Sequence, residues 1–223
     1  MTRIDEILAF NKNFVAGKRY EAFQTTRLPD KKIAVVSCMD TRLTQLLPAA
    51  LNLPNGSAKI IQTAGAVISH PFGSVMRSLM IAIFELGVED VLVVGHHDCG
   101  MRGLTAARLV EKGISAEKLE AVKYYGIDVE KWLKGFDDLE TSVAESVKTI
   151  RNHPLIPPAV RVHGFIIDPV TGALEPVNFQ PTNPRKKPCA KSSASAKSTS
   201  TSTPHPPSKA SARNSRKRNF KTP

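Results

Sequence analysis

Two short clusters hold the residues best suited to chemistry, Cys38-Met39-Asp40-Thr41-Arg42 and His96-His97-Asp98-Cys99-Gly100. Cys38, His96 and Cys99 together offer two thiolates and an imidazole, a donor set that suits Zn²⁺ in tetrahedral geometry. A structural zinc site normally closes with four strong ligands, whereas a hydrolytic one keeps a position for water; the obvious fourth group is the Asp40 carboxylate. Arg42 follows two residues later, and a bidentate pair between them would hold Asp40 ionised and away from the metal. Asp40 could then accept a hydrogen bond from water on the ion, leaving hydroxide as the nucleophile.

Taken singly, each cluster has a plainer reading. A lone Cys after an apolar run is an ordinary buried thiol, and H-x-x-C arises by chance. A Cys nucleophile activated by His96 or His97 would use the same residues, but it leaves the second Cys without a task. His97 is read as a surface or neighbouring histidine that could pass protons. Asp98 is expected to cap a helix starting near Gly100, the alternative being a hydrogen bond to a sulfur or to backbone. Gly65 and Gly100 read as backbone turns, and His70, His153 and His163 have no fellow metal ligands at useful spacing, so no role is assigned to them.

Elements that could position the two clusters are visible in the pattern. Residues 33–37 and 90–95 are short apolar runs, the second apolar at consecutive positions as in a strand covered on both faces, and each ends in one of the clusters. Further strands are expected at 59–63, 160–168 and 173–179. Helical spacing covers 3–24, 43–51 (with Pro48 inside), 71–86, 100–112, 115–122 and 138–151, the last with Val143, Val147 and Ile150 on one face. Tyr124, Tyr125, Trp132 and Phe136, between the last two helices, could cover the site or be core, and core is the expectation. Strands alternating with helices imply an α/β fold with a central, mostly parallel sheet of four to five strands flanked by helices, whose ligand sites lie at the carboxyl ends of the strands.

The net charge of +11 would suggest a polyanion partner, but its distribution says otherwise for the body of the chain. Residues 181–223 contain 11 basic and no acidic side chains, which leaves 20 of each sign in residues 1–180. The division expected is therefore a zinc domain over 1–180, with a helical arm over 1–30, and a disordered basic Ser/Thr/Pro/Lys-rich tail over 181–223. That tail could bind an acidic polymer, although no aromatic residues are interleaved for base stacking; a solvated tail with an exposed Cys189 is the commoner case. Three cysteines make no disulfide framework, and no apolar run approaches the roughly 18 residues of a membrane span. The expectation is a cytoplasmic protein without a membrane partner.

Cys38-x-Asp40-x-Arg42 followed by His96-x-x-Cys99-Gly100 resembles the signature of the β-class carbonic anhydrases. The likeness runs from about Ile33 to Val177 and takes in Ala64-Gly65, Arg77-Ser78-Leu79, Gly164-Phe165 and Thr171-Gly172; Met101 after Cys99-Gly100 is similar to the smaller prokaryotic type. The resemblance implies reversible hydration of CO₂ to bicarbonate and a proton, with Zn²⁺ held by Cys38, His96 and Cys99 and carrying the attacking hydroxide. It implies Asp40 and Arg42 as the catalytic pair, Asp40 orienting the hydroxide and Arg42 holding Asp40. In some members the residue matching Asp40 ligates zinc and closes the site. Members form dimers or larger assemblies, so a homodimer is implied here, with residues 3–24 as an arm across the partner. Relatives of the same fold hydrolyse COS or CS₂, and a zinc-bearing structural or binding protein acting through its basic tail is the alternative outside enzymes. Where many members read Arg-Asn-Ala-Gly this chain has Gln62-Thr63-Ala64-Gly65, a less polar version of that stretch.

Overall fold

The apolar run Ile33–Cys38 forms β1, and Ala58–Thr63, Asp90–His96, Arg161–Ile167 and Leu174–Pro176 form β2 to β5 in a computed structural model that describes residues 1–178. The basic stretch, Cys189 and the expected end of the last strand at Phe179 lie outside the described residues. The sheet order is β2-β1-β3-β4-β5, parallel except for β5, which runs antiparallel to β4. β5 is shorter than the alternation over 173–179 predicts.

Alternation along each strand fills both faces of the sheet. Ala34, Val36, Val91, Val93, Val162 and Ile166 pack in one layer with α3 (Ser74–Phe84) and α7 (Leu139–Arg151). Val35, Val94 and Ile167 point the other way and pack with Leu43 and Leu47 of α2 (Leu43–Ala50). The sheet is thereby sandwiched, and its site-bearing ends are held by core on either side.

α7 follows its sequence signals closely. Asp138 caps it by accepting from Thr141 N at 2.8 Å, Val143, Val147 and Ile150 are buried along one stripe, and the helix stops ahead of Pro154. Such a cap contributes about 1 kcal/mol. Its first turns lie hard against β3: a Cβ on Gly95 would sit 2.8 Å from Val143 Cγ2 and 3.0 Å from Leu139 Cδ1. Only a glycine lets β3 approach this closely one residue before His96.

Two expectations are corrected. The helix expected over 100–112 forms only as α4, Ala106–Glu111, because residues 100–105 are spent on turns around the site. The segment after α5 (Ala116–Val122), including α6 (Val129–Leu133), is not core: Tyr124, Tyr125 and Trp132 are largely exposed, and of the four aromatics only Phe136 is buried. Residues 3–24 do form α1 (Arg3–Ala16) and a 3-10 turn (Arg19–Phe23), but no residue of either is buried. α1 starts with a reciprocal Thr2–Asp5 capping box, and its partners are local: the Phe14 and Phe23 rings lie 6.2 Å apart, and the Arg19 guanidinium sits over the Phe10 ring.

Candidate metal centre

Cys38 ends β1 and His96 ends β3, the strand paired beside it, so two donors separated widely in sequence arrive at the same edge of the sheet. Cys99 returns on the turn after His96. The Sγ atoms of Cys38 and Cys99 are 3.8 Å apart, and the ligand atoms of all three residues lie within 4.8 Å of one another, each residue buried.

The imidazole is oriented by backbone. His96 Nδ1 lies 2.8 Å from the His97 carbonyl oxygen, which can only accept, so Nδ1 carries the proton and Nε2 presents its lone pair. Nε2 is buried with no hydrogen-bond partner, and the closest charged group, Asp40 Oδ2, stands 3.9 Å away. A buried acceptor left this way costs on the order of 1–3 kcal/mol. A divalent cation held by Cys38, His96 and Cys99 would supply the missing partner, and the donor set therefore fits zinc.

The electrostatics of the thiols are those of a pair sharing one proton. Cys38 is pushed well below the ordinary thiol range, first by the hydrogen bond from Cys99, against the opposing effect of burial, and then by His96 and nearby backbone N–H groups. Cys99 is driven far upward by the same pairing and by burial. For His96 burial acts to lower the pKa, but the Cys38 sulfur and the His97 carbonyl outweigh it and the net direction is upward.

Asp40 and Arg42 sit on the turn leaving β1. Arg42 donates to the Asp40 carboxylate three times, from Nε to Oδ1 at 3.0 Å, from Nη2 to Oδ2 at 2.9 Å and from the backbone N to Oδ1 at 2.9 Å. These hydrogen bonds hold the Asp40 carboxyl at about 2. Arg42 also reaches across to the second cluster, with Nη1 3.0 Å from Asp98 Oδ2 and Nη2 3.0 Å from the Asp98 carbonyl oxygen. No helix starts at Gly100, so the expected cap is corrected: Asp98 accepts from Arg42 instead. His97 is exposed, and its N–H donates to the Ile167 carbonyl at 3.2 Å, tying the turn to β4.

One wall of the site is built from residues that spacing alone does not single out. After β2 the chain turns through Gly65 (φ 70°) and Ala66 (φ 58°), and Gly65 N donates to Cys38 Sγ at 3.3 Å. A Cβ at position 65 would stand 3.0 Å from Met101 Cβ and 3.1 Å from Phe136 Cε1, so these two side chains close over the turn. Ser146, buried in the apolar stripe of α7, fastens it by accepting from Ile68 N at 3.2 Å and donating to the Ala66 carbonyl at 3.5 Å. Gln62 is exposed, and the Thr63 hydroxyl donates to the Val67 carbonyl at 3.4 Å, so its polar group serves the turn. A serine in a buried helical stripe is a signal of such a contact; Phe136 carries no comparable one.

Comparison with known proteins gives concordant matches. The family model described as carbonic anhydrase matches residues 33–174. YtiB of Bacillus subtilis, by its name a candidate carbonic anhydrase, is 51% identical over 179 residues, 78% of this chain and 96% of the relative. The carbon disulfide hydrolase of Acidithiobacillus thiooxidans is 29% identical over 183 residues, 75% of this chain and 88% of that one. Among solved structures, β-carbonic anhydrase isoform I of Trichomonas vaginalis superposes with a TM-score of 0.71 at 32% identity, covering 79% of this chain and 98% of that one.

Proposed function

The chain belongs to the β-carbonic anhydrase family, and we propose that it catalyses the reversible hydration of CO₂ to bicarbonate and a proton, using a zinc ion held by Cys38, His96 and Cys99. The observation that carries this reading is the convergence of those three buried donors on one point, with His96 Nε2 otherwise unpartnered and Asp40 fixed beside it. When bound, the ion supplies Lewis acidity that makes water a nucleophile near neutral pH.

The remaining work falls to the protein's own groups. Asp40 lies too far down the pH scale to hold a proton during turnover, so it acts as a hydrogen-bond acceptor that orients the attacking water. Arg42 occupies both carboxylate oxygens and keeps Asp40 ionised. The Gly65 N–H stabilises negative charge on the Cys38 sulfur, and Phe136 and Met101 close over the turn that supplies it.

The exposed apolar side chains of α1, among them Ile4, Ile7, Leu8 and Phe10, support a homodimer in which the arm is covered by a second copy. No helix among the described residues is long and apolar enough to cross a membrane; a cytoplasmic location is proposed on the family likeness alone. Hydrolysis of CS₂ is the second reading, favoured by the carbon disulfide hydrolase among the relatives. Stopped-flow assays of CO₂ hydration, run with metal analysis and with a parallel assay of sulfide release from CS₂, separate the two. Sulfide release without CO₂ turnover would replace the first reading by the second.

A further inference from the structure

Arg42 is gripped along two edges of its planar guanidinium. Asp40 takes the edge formed by Nε and Nη2, and Asp98 takes the edge formed by Nη2 and Nη1, through its carbonyl and its carboxylate. We propose that Asp98 is a positioning residue for the reaction, holding Arg42 along the edge adjoining the one Asp40 takes, so that the Asp40 carboxylate stays aimed at the Cys38, His96 and Cys99 group.

The backbone supports this. Asp98 has φ 54°, a left-handed conformation that non-glycine residues enter uncommonly and aspartate more readily than most. It is the residue between His97 and Cys99, and it offers its carbonyl and its carboxylate to the same guanidinium. The contact joins the turn after β1, which carries Asp40, to the turn after β3, which carries Cys99. Asp98 has no competing task, since no helix begins behind it and its hydrogen bonds run to Arg42.

Magnitudes indicate where its effect will be felt. The Asp98 side chain is 87% exposed and that of Arg42 is 38% exposed. A pair so wet contributes little to folding, so its consequence is the orientation of a long, rotatable side chain. An effect on turnover without an equal effect on stability is the signature of positioning.

The kinetic part of the inference rests on the CO₂ reading, and the test keeps the two apart. Full-length wild type, Asp98→Ala and Asp98→Asn are compared by zinc content, melting temperature, kcat and KM for CO₂, and the solvent-exchange rate of the Arg42 Nε–H measured by ¹⁵N NMR. Asp98→Ala is expected to lower kcat about fivefold, the most that a pair with one exposed member supports. KM, zinc content and melting temperature are expected to stay near wild type while Nε–H exchange quickens. Asp98→Asn, which keeps an oxygen for Nη1, is expected to recover most of both losses. Unchanged kcat and exchange in Asp98→Ala overturn the inference, as does a loss explained by missing zinc or one that Asp98→Asn leaves unrepaired. If the wild type hydrates no CO₂, the function fails, and the exchange measurement alone decides the role of Asp98.

Discussion

Arg42 and Asp40 are joined edge to edge, Nε to Oδ1 at 3.0 Å and Nη2 to Oδ2 at 2.9 Å, and both oxygens of the acid are therefore engaged. An acid held like this keeps its charge and its direction. Replacing Asp40 by Asn preserves size and removes the charge; zinc is expected to remain at about one per chain. CO₂ hydration is expected to fall about a hundredfold. Stopped-flow turnover equal to wild type would remove the orienting role from Asp40.

Removal of a donor should act earlier, on the metal itself. Cys38→Ser and Cys99→Ser are each expected to lose zinc and hydration together, since two donors and a weak hydroxyl do not replace a thiolate. Elemental analysis of the purified variants checks this, and a zinc-loaded Cys38→Ser protein would place the metal elsewhere.

Gly65 is constrained twice over. Its φ of 70° disfavours any side chain, and a Cβ would press on Met101 and Phe136 at 3.0 and 3.1 Å. Gly65→Ala is expected to cost about 1–3 kcal/mol in urea unfolding. Combining it with Met101→Ala, which removes the Met101 Cγ that such a Cβ would meet at 3.0 Å, should return part of that loss, and a double variant no better than the single would assign the cost to the backbone and to the Met101 Cβ and Phe136 contacts that remain.

At the opposite end of the sheet Asp90 pairs with Arg161, Nε to Oδ1 at 2.7 Å, and His163 Nε2 lies 3.1 Å from the same oxygen. The Arg161 hydrogen bonds hold the Asp90 carboxyl below its usual value, against burial, with His163 adding to the effect. A depressed carboxyl contributes stability that is complete above its unfolded pKa of about 3.9 and is lost as pH falls through its folded pKa. Asp90→Asn should therefore be less stable than wild type near pH 5, and the gap should narrow on acidification below about pH 4. Urea midpoints across that range test the pair, and a gap independent of pH would show that charge on Asp90 is not its source.

The arm makes a prediction about assembly. With Ile7, Phe10 and Val15 of α1 more than half exposed, Phe10→Glu is expected to shift a dimer toward monomer in sedimentation, with the sheet domain still folded. A dimer indifferent to this change would locate the interface away from α1.

β1 and β3 were legible because they are short apolar runs that end in polar clusters, and α7 because its stripe and stops agree. Cys38, His96 and Cys99 were legible as a donor set, with both clusters ending predicted neighbouring strands. Asp98 was not, because its contact with Arg42 spans 56 positions and depends on a left-handed backbone that spacing does not encode. The aromatic residues at 124–132 misled for a related reason: hydrophobicity marks surface to be covered, and it does not say whether the chain itself supplies the cover.

The two sulfurs of the site come from positions 61 residues apart, brought together by the pairing of β1 with β3. Closing so long a loop is among the slower events available to a chain of this size. In the proposed zinc enzyme the donors would meet only where β1 and β3 are paired, so zinc uptake would report the completed union of those two strands.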